Sequence, residues 1–140
     1  MSEDQAQQLL YQMQMLENLF AELSQKESSI INVIREANSA IHAVKGISTE
    51  DESESLFPLG MGAFIKSNVK PDEKIILNVG SGIAIEKNQN DAINYLESRL
   101  KELEIALQET NQQRQQVAAN LEQGKQQMQN YMQKSQTSMK

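Results

Sequence analysis

Two Gly-x-Gly stretches are the first candidates for a functional site, because loops of this pattern can bind phosphate groups. They stand at Gly60–Gly62 and Gly80–Gly82. A phosphate loop leads into the first turn of a helix, where backbone N–H groups converge on the anion. Both pairs lead instead into the alternating stretches Ala63–Lys66 and Ile83–Glu86, which is a strand pattern. We therefore interpret the pairs as hairpin turns, in which glycine supplies the positive φ that a tight turn requires.

Side chains that could act as metal ligands or nucleophiles are present but isolated. His42 is the sole histidine and the chain has no cysteine, so neither a zinc site nor a disulfide is expected. Serine and acidic residues are plentiful, yet no spacing places a nucleophile beside a base. The sequence therefore predicts no catalytic residue, no metal, no cofactor and no enzyme activity.

The charge and hydropathy of the 140-residue chain exclude further classes of partner. Its formal net charge of -6 argues against nucleic acid, because phosphate neutralisation needs clustered Lys and Arg. No apolar stretch approaches the length of a membrane span, so no membrane association is expected. The acidic first ten residues lack the apolar core of a signal peptide, and a composition without cysteine fits a cytoplasmic location.

Residues 1–45 have the pattern of one long coiled-coil helix. Alternate steps of three and four residues meet an apolar side chain at eleven of twelve positions, with Glu27 as the exception. A sustained repeat of three and a half residues is typical of a coiled-coil seam, and Gly46 is the expected helix stop. This first seam consists of Ala6, Leu9, Met13, Leu16, Phe20, Leu23, Glu27, Ile30, Ile34, Ala37, Ile41 and Val44.

Residues 88–140 repeat the pattern, and Asn88 followed by Asp91 indicates a helix N-cap. Nine of twelve seam positions are apolar, and the two seams have equal length, which favours antiparallel pairing within one chain. The second seam consists of Ile93, Leu96, Leu100, Leu103, Leu107, Thr110, Arg114, Val117, Leu121, Gly124, Met128 and Tyr131.

The polar seam positions could form an ion pair if one antiparallel register is assumed. If paired seam residues have numbers that sum to 137, Glu27 lies opposite Thr110, and Arg114 lies one layer away within reach of Glu27. An ion pair there would fix the antiparallel register at a cost in stability.

Residues 46–87 predict two β-hairpins separated by a turn at 70–73. Two hairpins cannot bury both faces of so small a sheet, and open strand edges invite pairing with other chains. The fold class is therefore mainly α, a long antiparallel coiled coil interrupted by two hairpins that act as an assembly hub. The apolar hairpin residues expected to be covered by other subunits are Phe57, Leu59, Phe64, Ile65, Ile75, Leu77, Val79, Ile83 and Ile85.

The central block resembles the alpha-class subunits of archaeal prefoldin. The resemblance rests on Phe-Pro-Leu-Gly-Met-Gly-Ala-Phe-Ile-Lys at 57–66 and Ile-Leu-Asn-Val-Gly-Ser-Gly-Ile-Ala-Ile-Glu-Lys at 76–87, flanked by coiled-coil helices. Paired hairpins distinguish this class from the beta class, which has one. The resemblance implies a hexamer of two alpha and four beta subunits, joined through a double β-barrel. It also implies an ATP-independent chaperone that holds unfolded polypeptides and delivers them to a group II chaperonin.

The chain ends are the expected contact surface for unfolded protein. Six of the seven methionines lie near the ends, which an antiparallel pair brings together. Methionine suits surfaces that accept many shapes, although Met13 and Met128 also have a simpler explanation as seam residues. Fraying of the helix ends would expose Leu9, Leu10, Met13, Met128, Tyr131 and Met132. The alternative function is a structural adaptor whose coiled coil binds one defined partner.

Overall fold

A computed structural model describes residues 2–138 of the chain and shows two long helices with two β-hairpins between them. Helix α1 spans Glu3–Lys45 and helix α2 spans Gln89–Ser138. The intervening strands are β1 (Ser53–Gly60), β2 (Ala63–Val69), β3 (Ile75–Gly80) and β4 (Ile83–Lys87). The predicted fold class, mainly α with two antiparallel hairpins inserted between coiled-coil helices, is confirmed.

Local hydrogen bonds fix where the helices begin and end. At the start of α1, the Ser2 hydroxyl accepts from the Gln5 N–H at 3.2 Å, and the Gln5 side chain accepts from the Ser2 N–H at 3.0 Å. This reciprocal pair is a capping box. At the start of α2, the Asn88 side chain accepts from the Asp91 N–H at 2.8 Å, so the predicted cap is confirmed.

Helix α1 ends at the predicted glycine. The Gly46 N–H donates to the carbonyl of His42 at 3.0 Å and to that of Ala43 at 3.2 Å, and the helix stops one residue earlier. The Gln89 side-chain amide then donates to the carbonyls of Val44 at 2.8 Å and Ile47 at 3.1 Å. Carbonyls at a helix C-terminus lack intrahelical donors, so the first residue of α2 supplies one to the end of α1.

The seam residues are the ones that the chain covers. All twelve positions of each seam are buried or half-buried, as the 3.5-residue repeat predicts. The residues form two compact units, one containing the chain up to Asn32 together with the chain from Glu104 onward, the other Val33–Leu103. In the first unit, Met13 lies beside Gly124 and Glu27 bonds to Arg114, so rising numbers on α1 meet falling numbers on α2. The two helices are therefore antiparallel there.

The hairpins have matching geometry. Strands β1 and β2 pair antiparallel with Phe57 opposite Ile65, and β3 and β4 pair with Leu77 opposite Ile85. The two central residues of each turn have positive φ, Met61 and Gly62 in the first (49° and 79°), Ser81 and Gly82 in the second (55° and 75°). The glycine before each pair also has positive φ, 112° at Gly60 and 103° at Gly80. Positive φ at both central residues defines the type I′ turn, whose twist matches that of paired strands.

Candidate interaction surfaces

The first hairpin is apolar and exposed on both of its faces. Directly opposed residues share a face, so Phe57 with Ile65 marks one side and Pro58 with Phe64 marks the other. All four are exposed, and so is Leu59, which stands at the register shift between Pro58 and Gly60. The assembly residues predicted here therefore lie on the surface of the chain. Sequence analysis missed Leu56 and Met61, which are also exposed apolar residues of this hairpin.

The second hairpin is covered on one face only. Leu77 is 7% exposed, and Ile75 and Ile85 are half-buried, although no partner chain is present. Val79 and Ile83 near the turn are exposed, and so is Ile76, which sequence analysis did not single out. Because Ile76 is one residue from Leu77, it lies on the opposite face of the hairpin. The assembly residues predicted in β3 and β4 are thus divided between a covered set and an exposed set.

The strand edges are a second feature of this surface. Within residues 2–138 the four strands form two separate two-stranded sheets, β1–β2 and β3–β4. Each strand therefore has one neighbour and one edge whose backbone groups face away from the hairpin. Unpaired edges next to exposed apolar side chains are the features from which larger sheets assemble.

At the chain ends, the predicted contact residues fall into two groups. Leu9, Met13, Met128 and Tyr131 are half-buried seam residues, whereas Leu10 and Met132 are exposed. A Cβ atom built on Gly124 would lie 2.9 Å from Met13 Cγ and 3.9 Å from Leu9 Cδ1, so the glycine makes room for Met13 against α2. Only Leu10 and Met132 of the six are available without movement of the helix ends.

Three of the other exposed apolar residues on α1 lie close together, and the sequence analysis had included only the methionine among them, as one of the six methionines near the chain ends. Tyr11, Met15 and Leu19 are 65%, 55% and 41% exposed. They recur every four residues, so they form a continuous strip on one side of the helix. We call these three residues the α1 stripe. Their i, i+4 spacing is present in the sequence, but these positions lie outside the first seam, so the 3.5-residue repeat does not predict them.

A polar layer interrupts the seam inside the first unit. Arg114 Nε donates to Glu27 Oε2 at 2.6 Å, and the guanidinium carbon lies 6.0 Å from the centroid of the Phe20 ring. Thr110, 2% exposed, donates its hydroxyl to the Ala106 carbonyl one turn earlier at 2.7 Å. The predicted ion pair between Glu27 and Arg114 is confirmed, and the buried hydroxyl has a partner.

The described residues form neither a metal site nor a membrane-spanning helix. Among residues 2–138, no three His, Asp or Glu side chains lie close enough together to hold a metal ion. None of the helices in that range has an apolar window long enough to cross a membrane.

Two antiparallel coiled-coil helices joined by exposed apolar β-hairpins are the architecture of a coiled-coil subunit of a larger complex. The family described as prefoldin subunit matches residues 11–134. The chain belongs to the prefoldin family of chaperone subunits.

Relatives and solved structures agree with this assignment. The prefoldin subunit alpha of Nitrosopumilus maritimus is 50% identical over 138 residues, which cover 99% of this chain and 95% of the relative. Prefoldin subunit alpha 1 of Thermococcus kodakarensis is 33% identical over 105 residues, 73% of this chain and 72% of the relative.

Two solved structures share the fold. A chain of filamentous prefoldin from Methanocaldococcus jannaschii, solved by cryo-EM, superposes with a TM-score of 0.66 at 21% identity, over 79% of this chain and 92% of the other. The crystal structure of the prefoldin beta subunit from Thermococcus strain KS-1 gives the same TM-score at 16% identity, over 91% of each chain.

Proposed function

We propose that this chain is the alpha-type subunit of a cytoplasmic, ATP-independent chaperone that holds unfolded polypeptides and passes them to a group II chaperonin. The observation that carries the proposal is the first hairpin, which exposes apolar side chains on both faces next to unpaired strand edges. A protein that worked alone would leave this surface in water, which soluble monomers rarely do. Its exposure supports a role in a complex.

The hairpins provide the assembly surface in this proposal. Two alpha-type and four beta-type subunits join through strands of the central segment, residues 46–87. Burial of a large apolar side chain stabilises a complex by about 1.5–3 kcal/mol, so the exposed set is sufficient to hold several subunits together. That set comprises Leu56, Phe57, Leu59, Met61, Phe64, Ile65, Ile76, Val79 and Ile83.

The chain ends provide the contact with unfolded protein. Leu10 and Met132 are exposed there, and the half-buried Leu9, Met13, Met128 and Tyr131 are uncovered when the helix ends fray. Each contact is weak, but several arms on one complex raise the effective concentration of binding sites and therefore the avidity. Because each contact is weak, bound polypeptide can be released again, and because several arms bind at once, it can still be held. The proposal therefore requires no nucleotide and no catalytic group.

The test uses the complex formed with a beta-type subunit. Its mass should correspond to a hexamer, and it should suppress aggregation of several unrelated denatured proteins without ATP. A complex lacking residues 1–13 and 128–140 of this chain should retain the hexameric mass and protect less well. Protection of one defined protein alone would favour the structural adaptor instead. Equal protection by the trimmed complex would place the contact surface elsewhere.

A further inference from the structure

The α1 stripe is an apolar surface that is available before any helix end frays. Its three residues occupy three successive turns of α1, and each is more than two-fifths exposed. The first-seam residues at the same level of the helix are buried or half-buried. At 100° per residue, the stripe is centred roughly 130° around the helix from that seam. It therefore lies outside the helix–helix contact.

Two shallow, open depressions lie one after the other along this side of α1. The first is lined by Asp4, Gln7, Gln8, Tyr11 and Gln12. The second is lined by Gln12, Met15, Leu16, Asn18, Leu19 and Glu22. Gln12 lines both depressions, and we call the surface that they form along the stripe, from Asp4 to Glu22, the groove.

Both ends of the groove carry a carboxylate. Asp4 precedes Tyr11 by seven residues and Glu22 follows Met15 by seven, so each lies two turns from a stripe residue on the same face of α1. Between them the groove is lined by apolar and amide side chains. An apolar surface with an acid at each end is complementary to an apolar segment with a cation at each end.

The first compact unit, which contains the groove, is negatively charged, like the two carboxylates at the ends of the groove. Residues 2–25 contain four acidic residues and no Lys, Arg or His. Residues 2–32 and 104–138 together contain eight acidic and four basic residues, a formal net charge of -4. The field around the groove therefore attracts cationic segments and repels anionic ones.

The length of the groove sets the length of the segment. Eighteen residues separate Asp4 from Glu22 along α1, a distance of about 27 Å at 1.5 Å per residue. An extended chain covers that distance in about eight residues. Aggregation-prone apolar segments of proteins are commonly flanked by charged gatekeeper residues, so such segments occur in unfolded chains.

We propose that the groove from Asp4 to Glu22 binds an extended apolar segment, about eight residues long, that carries Lys or Arg at both ends. The inference rests on the proposed function, because it names the class of unfolded segment that this chain holds. The apolar stripe supplies contact area, and the terminal carboxylates select segments by the charge of their flanks.

The test uses the complete complex and three fluorescein-labelled peptides with one eight-residue apolar core flanked by Lys, Ser or Glu. Fluorescence anisotropy should show the Lys-flanked peptide binding roughly tenfold more tightly than the Glu-flanked one at low salt, since two exposed charge pairs change from attraction to repulsion. The difference should vanish at about 1 M salt, where the Debye length is about 3 Å.

Two variants separate charge from contact area. Asp4→Asn with Glu22→Gln should remove the preference for Lys flanks while leaving the Ser-flanked peptide bound. Glu104→Gln with Glu109→Gln removes the same charge from exposed positions on α2 in the same unit and should keep the preference. The triple variant Tyr11→Gln, Met15→Gln, Leu19→Gln should bind all three peptides roughly tenfold more weakly, or weaker still. Ile105→Gln, which changes an exposed apolar residue on α2 in the same unit, should not.

Several outcomes would overturn the inference. Equal binding of Lys-flanked and Glu-flanked peptides, or full binding by the triple variant, would show that the groove is not the site. A changed mass of the triple-variant complex would mean that another subunit occupies the groove. In each case the unmodified complex would still suppress aggregation. Failure of the unmodified complex to suppress aggregation would instead contradict the proposed function.

Discussion

Arg114 Nε lies 2.6 Å from Glu27 Oε2, and the two residues bridge the antiparallel helices at seam positions that are otherwise mostly apolar. Their side chains are 29% and 19% exposed, so the pair is mostly withdrawn from water. Arg114 also lies over the Phe20 ring at 6.0 Å, which adds a cation–π contact. A one-layer shift that moves the two side chains apart would place Glu27 opposite Leu107 and Arg114 opposite Phe20, so the ion pair opposes that shift. It therefore specifies how the helices align.

Removal of one partner of this pair should destabilise the helices more than removal of both. Glu27→Leu or Arg114→Leu alone leaves a partly buried charge without its partner, which should lower the free energy of unfolding by about 1–3 kcal/mol. The double variant should recover most of that loss, because leucine suits a seam position. Chemical denaturation at a fixed subunit concentration measures all three variants.

The arrangement also predicts a change in specificity. Without the pair, no ion pair between the helices opposes a shifted register in that layer, so the double variant should show more heterogeneous helix pairing in cysteine cross-linking. The ion pair on the outer surface between Arg99 and Glu102 is a suitable control, because both side chains are more than half exposed. Its removal should change stability by less than about 1 kcal/mol. Additive losses at Glu27 and Arg114 would contradict the prediction.

The effect of Gly124→Ala on the stability of the chain should change sign when the residue at position 13 is changed. Alanine normally stabilises a helix by about 1 kcal/mol relative to glycine. Here the added Cβ would lie 2.9 Å from Met13 Cγ, so the methionine must move. We expect Gly124→Ala to destabilise the native chain and to stabilise the Met13→Ala variant by up to about 1 kcal/mol. Thermal melting of the four proteins of this cycle measures the coupling, and equal effects in both backgrounds would refute it.

The sequence was sufficient for the features that periodicity controls. The apolar seam positions predicted α1 and its buried side, because a 3.5-residue repeat keeps one side of a helix against its partner. The ion pair between Glu27 and Arg114 needed a further assumption, a register in which paired residue numbers sum to 137. The hairpins followed from Gly62 and Gly82, since positive φ at these positions is required by the turn.

Features that depend on tertiary packing could not be predicted from the sequence. Leu77 and Phe64 have the same character in the strand pattern, yet Leu77 is covered by its own chain and Phe64 is exposed. Which face of a hairpin is covered is decided by its position next to other elements, and alternation within a strand gives no information about that. The α1 stripe was missed for a different reason, since Tyr11 and Met15 do not belong to the seam.

Ser81→Asn should strengthen the second hairpin. Ser81 adopts a φ of 55° before Gly82, and asparagine followed by glycine is the preferred pair for this type I′ turn. We expect a gain of roughly 0.5 kcal/mol or more, visible as slower amide hydrogen exchange in β3 and β4. Gly82→Val should have the opposite effect and cost about 1–2 kcal/mol, because a β-branched residue is strained at a φ of 75°. Equal exchange rates in the native and Ser81→Asn proteins would contradict this account.

A charge placed on the hairpins should act differently at exposed and at covered positions. Phe57→Glu with Phe64→Glu changes two exposed side chains, one on each face of the first hairpin. We expect the chain to retain its helical circular dichroism and to lose hexamer formation with the beta-type subunit, because the charges would be desolvated in the assembly surface. Light scattering of the mixed subunits gives the mass.

Leu77→Glu should instead disturb the chain itself. Leu77 is 7% exposed, so the carboxylate would be buried within the hairpin segment without a partner. We expect amide protection in β3 and β4 to fall even before the beta-type subunit is added. Thr49→Glu adds one charge at an exposed position before β1 and should alter neither mass nor protection. If the Phe57→Glu and Phe64→Glu double variant forms a full hexamer, the first hairpin is not part of the assembly surface. That surface would then consist of Ile76, Val79 and Ile83 in the second hairpin.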